Sequence, residues 1–224
     1  QYFASRRIAE ALCRRLAEPD PPEVVIVHPA NADGWLEQQA MDHARAQLVR
    51  LIGEVDSGGR FNLYVPYTGE TPIYVHSKIM IVDDRILRIG SANMNNRSMG
   101  LHRECDVFID ANRPGNAHVS GAIRGLRLSL LAEHCGLESD ELADRIEQAG
   151  SMAGMIHKLG RDRVRTLRRF DLPELNGAAE ALADSALLDP EKPEELFEPF
   201  AKGGLFRKGM LLSRIRDRKR KQGA

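Results

Sequence analysis

The sequence predicts an α/β fold that gives way to a helical part and a basic end. Three observations carry this reading. Over the first hundred residues, short β-branched runs alternate with longer amphipathic segments, the rhythm of a layered α/β architecture. From Pro114 onward the periodicity turns helical. The 224 residues are 42% hydrophobic and 29% charged, a globular balance on a chain long enough to bury a sizeable core.

The elements follow in order. From Phe3 to Ala17, Ile8, Leu12, Cys13 and Leu16 share one helical face, and Pro19, Pro21 and Pro22 end the helix. Val24-Val25-Ile26-Val27 reads as a buried strand. Asn31-Ala32-Asp33-Gly34 is a turn able to cap a helix from Trp35 to Ile52. Ser57-Gly58-Gly59 precedes a strand at Phe61–Val65. Strands at Ile73–Val82 and Ile86–Ile89, joined by Asp83-Asp84-Arg85, form a hairpin, and Cys105–Ile109 is a further strand. Helices are expected at 116–135, 139–149, 152–159 and 174–187, with a linker from Asp189-Pro190 to Pro193.

Composition excludes several classes. No apolar run reaches the roughly 18 to 20 residues that span a bilayer. Cys13, Cys105 and Cys135 are odd in number and widely spaced, so a disulfide framework or a cysteine-rich zinc site is not expected, and a reducing compartment is. The His102–Cys105 pair lacks the second pair that a zinc site needs. Net charge is zero, but residues 205–224 hold eight Lys/Arg and one Asp. That leaves 24 basic and 31 acidic side chains in residues 1–204, an acidic body with a basic tail. The tail mixes Leu205, Phe206, Met210, Leu211, Leu212 and Ile215 with its charges, the pattern of an amphipathic helix on an anionic membrane surface, or of a solvated linker. A broad basic surface for nucleic acid is missing. The expected location is cytoplasmic or peripheral at the membrane.

The informative stretch runs from His76-Ser77-Lys78 through Asp83 to Gly90-Ser91-Ala92-Asn93. Alternation on a strand points His76 and Lys78 to one face. With Asp84-Arg85 as a two-residue loop and Asp83 opposite Ile86, Lys78 falls opposite Ser91 and His76 opposite Asn93. That patch suits a phosphate: a cation with neutral donors, beside an imidazole that can act as nucleophile or acid. A slip of one residue would scatter the set.

The spacing H-x-K-x4-D-x6-G-S-x-N resembles the HKD signature of the phospholipase D superfamily, with every position filled. The resemblance extends to Asn96-Arg97-Ser98 and Glu104, and covers roughly residues 1–136. Ile73–Lys78 and Arg97–Leu101 resemble bacterial phospholipase D and cardiolipin-synthase-like proteins in particular. The implied fold is a mixed sheet flanked by helices, a catalytic half over 1–136, followed by a helical extension over 137–204 and the tail over 205–224. The resemblance further implies that His76 forms a phosphohistidine or protonates the leaving oxygen. Lys78, Ser91 and Asn93 would bind phosphoryl oxygens, Asp83 would support the site and Glu104 would orient the His76 ring. It implies a phospholipid substrate and no metal or other cofactor. The family needs two such motifs, and none of the other histidines has a lysine two residues on. Gln1-Tyr2-Phe3 is similar to the end of the segment between the two motifs, so the second is expected upstream, or else from a second chain. Two alternatives stand beside this reading: a nucleic-acid phosphodiesterase of the same superfamily, and a catalytically incomplete lipid-binding half.

Overall fold

The computed structural model describes residues 3–30 and 35–172. The expected turn at Asn31–Gly34, the helix at 174–187, the linker and the basic tail lie outside the described residues. The elements run α1 (Arg6–Leu16), β1 (Val24–Val27), α2 (Trp35–Val55), β2 (Phe61–Thr68), β3 (Thr71–Pro72), β4 (Lys78–Val82), β5 (Ile86–Gly90), β6 (Asp106–Asp110), α3 (Ser120–Cys135), α4 (Ser139–Ala149), α5 (Met152–Leu159) and β7 (Arg165–Arg169). A π-turn spans Arg97–Leu101, and a 3-10 turn at Ala117–Val119 leads into α3. The architecture is α/β, with a mixed sheet and an antiparallel sheet flanked by helices.

In the mixed sheet β2 is central. Tyr64 pairs with Val27 of parallel β1 and with Arg169 of antiparallel β7, and Tyr67 pairs with Pro72 of β3 and Thr166 of β7. Thus β1 and β3 share one side of β2 and β7 takes the other. Both faces are covered, which is why β1 is a continuous β-branched run. Phe61, Leu63 and Ile26 pack with Phe3, Ala9, Leu16 and Ile52 of the N-terminal segment and helices. On the other face Tyr64 and Leu167 pack with Leu128, Leu131, Leu142, Met155 and Ile156 of α3, α4 and α5.

Helix ends follow local chemistry. Ser5 caps α1 by accepting from the Ile8 N–H (3.5 Å), and Gly136 and Gly150 end α3 and α4 in the left-handed region (φ 61° and 72°). The start of α5 is also capped from afar, since Glu23 accepts from the Met152 and Ala153 N–H groups at 3.0 and 2.8 Å.

Two differences from the sequence-based expectations stand out. Residues 73–77 are not part of a strand, and the segment beyond α5, assigned no element within the expected helical extension, contributes β7 to the central sheet. Both arise around β2. The His28 N–H donates to the Tyr64 carbonyl (3.0 Å) and the Ile73 N–H to the Pro66 carbonyl (2.8 Å), so the chain from β3 meets the C-terminal end of β1 head-on. It leaves the sheet there as an extended connection to β4. That end of β1 is fixed by buried Arg45, which lies 2.7 Å from His28 Nδ1 and donates to the carbonyls of Pro29 and Ala30 at 3.2 and 2.9 Å. Its guanidinium stacks on Phe170 at 4.1 Å. Burial, with the Arg45 charge adding to it, pushes His28 down to about 2, so the imidazole is neutral and accepts.

The second sheet is the antiparallel β4-β5-β6, held to the rest by α3, whose Ile123 packs against Leu87 and Ala111. Among the described residues, no helix is long and apolar enough to cross a membrane.

Candidate functional site

The motif residues sit where the extended connection enters β4 and where β5 ends. The hairpin register differs from the expected one. Val82 pairs with Ile86 and Lys78 with Gly90, so the loop has three residues rather than two. Asp83 and Asp84 both adopt positive φ (52° and 53°), and the Arg85 N–H closes on the Val82 carbonyl at 2.9 Å. Asp84 is held in place by a bidentate bond from Arg127 of α3 (2.6 and 2.7 Å), and its carbonyl accepts from Ser120. The turn therefore closes one residue early. Since side chains alternate with period two, this shift removes the direct cross-strand facing of Lys78 with Ser91 and of His76 with Asn93. The ladder ends at Lys78–Gly90.

His76 lies on the connection before β4 and is exposed, with its ring stacked on Tyr74 (centroids 6.1 Å apart, 24° between planes). Lys78 opens β4, is 8% exposed and donates from Nζ to the His76 carbonyl at 2.5 Å. Burial moves the Lys78 pKa down, and the charge of Glu104 opposes that shift. Ser91 follows β5; its Oγ donates to Glu104 Oε2 at 2.5 Å and accepts from the Cys105 N–H at 3.0 Å. The Ser91 hydrogen bond holds the Glu104 carboxyl below the usual range, with burial working against it and Ser98 adding a second bond. Lys78, Ser91 and Glu104 are thus one electrostatic cluster. Asn93 lies half-buried two residues along the same loop, and Asp83 is exposed at the far tip of the hairpin.

The Glu104 carboxylate, expected to orient the His76 ring, accepts from Ser91 and Ser98 in this structure. The β5–β6 register pairs Gly90 with Asp106, and the Ser91–Cys105 backbone contact (3.1 Å) extends it, so Glu104 arrives beside Ser91. Ser98 reaches Glu104 because the π-turn starts just after Asn95, whose side chain accepts from the Ser98 N–H at 2.9 Å.

Sequence reasoning missed the residues beneath this loop. Lys78, Gly90 and Asp106 form one row across the sheet, and Met80, Arg88 and Phe108 the next, on the face away from α3. Arg88, 7% exposed, donates from Nη2 to Asp106 Oδ1 (2.9 Å) and to the Ala92 carbonyl (3.0 Å). One signal was available: Ile86-Leu87-Arg88-Ile89 places an arginine inside an apolar strand, where burial demands a partner.

With this geometry in view, the comparisons with known proteins are specific. The family model for phospholipase D matches residues 66–178, and the one described as cardiolipin synthase, PLD-like domain, matches residues 1–121. The chain belongs to the phospholipase D superfamily. Among its relatives, phospholipase D alpha 2 of Oryza sativa subsp. japonica is 44% identical over 102 residues, which are 41% of this chain and 12% of that protein. Phospholipase D delta of Arabidopsis thaliana is 41% identical over 78 residues, 32% of this chain and 9% of its own length. Phospholipase D zeta 1 of Arabidopsis thaliana is 42% identical over 84 residues, 34% of this chain and 8% of its own. The chain therefore spans only about a tenth of the length of these relatives.

Proposed function

We propose that this chain supplies half of a phosphodiesterase site acting on phospholipids, by hydrolysis or by transfer to an alcohol. The observation that carries the reading is the buried Lys78 ammonium, set at the end of a strand beside His76 and within the field of the Ser91–Glu104 pair. A buried cation with hydroxyl and amide donors nearby stabilises the charge that gathers on a phosphoryl group as it is transferred. In this mechanism one imidazole attacks phosphorus as the bond to the head-group oxygen breaks, and a second imidazole protonates that oxygen. Water or an alcohol then attacks phosphorus as the second imidazole takes its proton, the phosphorus–nitrogen bond breaks and both imidazoles are regenerated. His76 takes one of these two parts. A second motif, from elsewhere in the protein or from a second copy, takes the other.

Within this reading Lys78, Ser91 and Asn93 hold phosphoryl oxygens once Ser91 turns from Glu104 to the substrate, and Asp83 supports the hairpin. No step requires a metal. The basic stretch 205–224 brings the site to anionic membranes: roughly 1 kcal/mol for each Lys or Arg near such a surface makes reversible attachment possible.

Head-group release from phosphatidylcholine, with and without ethanol as acceptor, tests the reading. His76→Ala is expected to abolish both phosphatidic acid and phosphatidylethanol formation. Undiminished product from that variant overturns it. Cleavage of single-stranded DNA but not of lipid by the unmodified protein would move the assignment to a nuclease of the same superfamily.

A further inference from the structure

Ser91 and Asn93 flank Ala92, and the structure grips Ala92 from two sides. The Ala92 carbonyl accepts from Arg88 Nη2 at 3.0 Å, and the Ala92 N–H points to Asp106 Oδ1 at 3.4 Å. The two gripping groups are bound to each other at 2.9 Å, with 8% of the Arg88 side chain and 19% of the Asp106 side chain exposed. Ala92 itself is 3% exposed. The grip requires a gap in the sheet. Gly90 lies between Lys78 and Asp106 in the same row, and a Cβ there would stand 1.7 Å from Asp106 Oδ1 and 2.6 Å from the Cys105 carbonyl. Glycine thus leaves the space through which the carboxylate reaches the loop.

We propose that Arg88 and Asp106 are positioning residues that set the Ser91–Asn93 loop for phosphate binding. This rests on the phosphoryl-site reading above. Neither side chain needs to touch substrate. Ser91 and Asn93 belong to the loop just past the last β4–β5 ladder pair, with the Ser91 N–H donating across to the Cys105 carbonyl at 3.1 Å. The paired ions add to this hold by bonding both peptide groups of the intervening residue. A site that depends on donors placed to within a fraction of an ångström is sensitive to such support.

The test separates positioning from stability, using the protein that carries this chain. Arg88→Leu or Asp106→Leu alone leaves a buried charge unpaired and is expected to lower both melting temperature and turnover. The double variant R88L/D106L replaces the ion pair by apolar side chains and is expected to regain the parental melting temperature, since such exchanges are often neutral or stabilising. Its kcat/KM is nevertheless expected to remain roughly 100-fold low, as for a misplaced catalytic group. The inhibition constant for inorganic phosphate should rise in parallel. Recovery of kcat/KM and phosphate affinity together with stability overturns the proposal. If the double variant melts early, Asp106→Asn decides. It keeps an Oδ1 acceptor for Ala92 and is expected to hold phosphate within about threefold of the parental affinity. A rise of roughly tenfold or more, the size of a lost charge-assisted bond, shows that charge rather than placement matters and overturns the clamp. Lys78→Ala supplies the control: unchanged turnover there defeats the phosphoryl-site reading itself, whereas its loss beside a fully active double variant defeats the clamp alone.

Discussion

The two sheets are stabilised by different means. Around β2 each strand face meets a helix layer, and the residues between them, such as Leu142 (0% exposed) and Met155 (1%), are sealed from water. The β4-β5-β6 sheet carries the motif, yet Val107 and Phe108 are 63% and 61% exposed, and Ile89 is 46% exposed. Its buried apolar contact with α3 centres on Leu87, Ala111 and Ile123. Two charged clamps set its geometry: Asp84–Arg127 ties its loop end to α3, and Arg88–Asp106 braces its site end from within. Apolar burial is strong but non-directional, whereas a charged bond fixes distance and angle. The motif residues lie on the part whose geometry is set by directional bonds.

That contrast is open to direct attack. If the antiparallel sheet serves chemistry and the mixed sheet serves stability, substitutions should separate accordingly. The largest effect is expected at His76. His76→Ala should lower kcat by roughly 10⁴-fold or more, as losses of nucleophiles or acid–base groups do, with the melting temperature nearly unchanged because the ring is exposed. Rapid-quench measurement of head-group release checks it. Lys78→Ala should cost roughly 100- to 1,000-fold in kcat, the range for one preorganised donor, and a similar loss in KM alone would mean that it binds the ground state and transition state equally.

In the closed core the expectation reverses. Leu142→Ala should destabilise by about 2–5 kcal/mol through lost burial and a cavity, and kcat of the folded fraction should hold. Urea unfolding of that variant beside Val107→Ala sharpens the comparison, because the exposed valine should change stability by less than about 0.5 kcal/mol. Equal losses at the two positions would erase the distinction drawn here.

Asp84→Asn probes the loop clamp, with an expected loss of roughly 1–3 kcal/mol at neutral pH for a half-buried partner left unpaired. The hydrogen bond from Arg127 holds the Asp84 carboxyl below its usual range, with burial opposing. A depressed folded pKa means that the contribution is fully present above the unfolded value near ~3.9 and is lost as pH falls through the folded one. The urea midpoints of parent and variant should therefore differ most near neutrality and converge in acid. A gap independent of pH would assign the stabilisation to shape rather than charge.

Much of this molecule was legible in the linear sequence because it is decided locally. The apolar periods mark β1, α4 and α5 at their bounds and α1 to within three residues, and the glycines after α3 and α4 stop those helices. The motif spacing alone led to the phospholipase D superfamily, which the family matches show. Other features depend on partners far away in the chain. Arg165-Thr166-Leu167-Arg168-Arg169 has too many arginines to look like a strand, and becomes one because β2 offers an open edge and Arg168 stacks on Tyr67 (4.2 Å). Tertiary structure also set the hairpin register, through positive-φ aspartates and an arginine 43 residues beyond Asp84. The β5–β6 register likewise brought Glu104 to Ser91 and Asp106 to Arg88. Local sequence determined which elements form and which reactive residues they carry. Which of those residues face one another across β4 and β5 was decided by a one-residue choice of turn, because with a side-chain period of two a single step reverses every face.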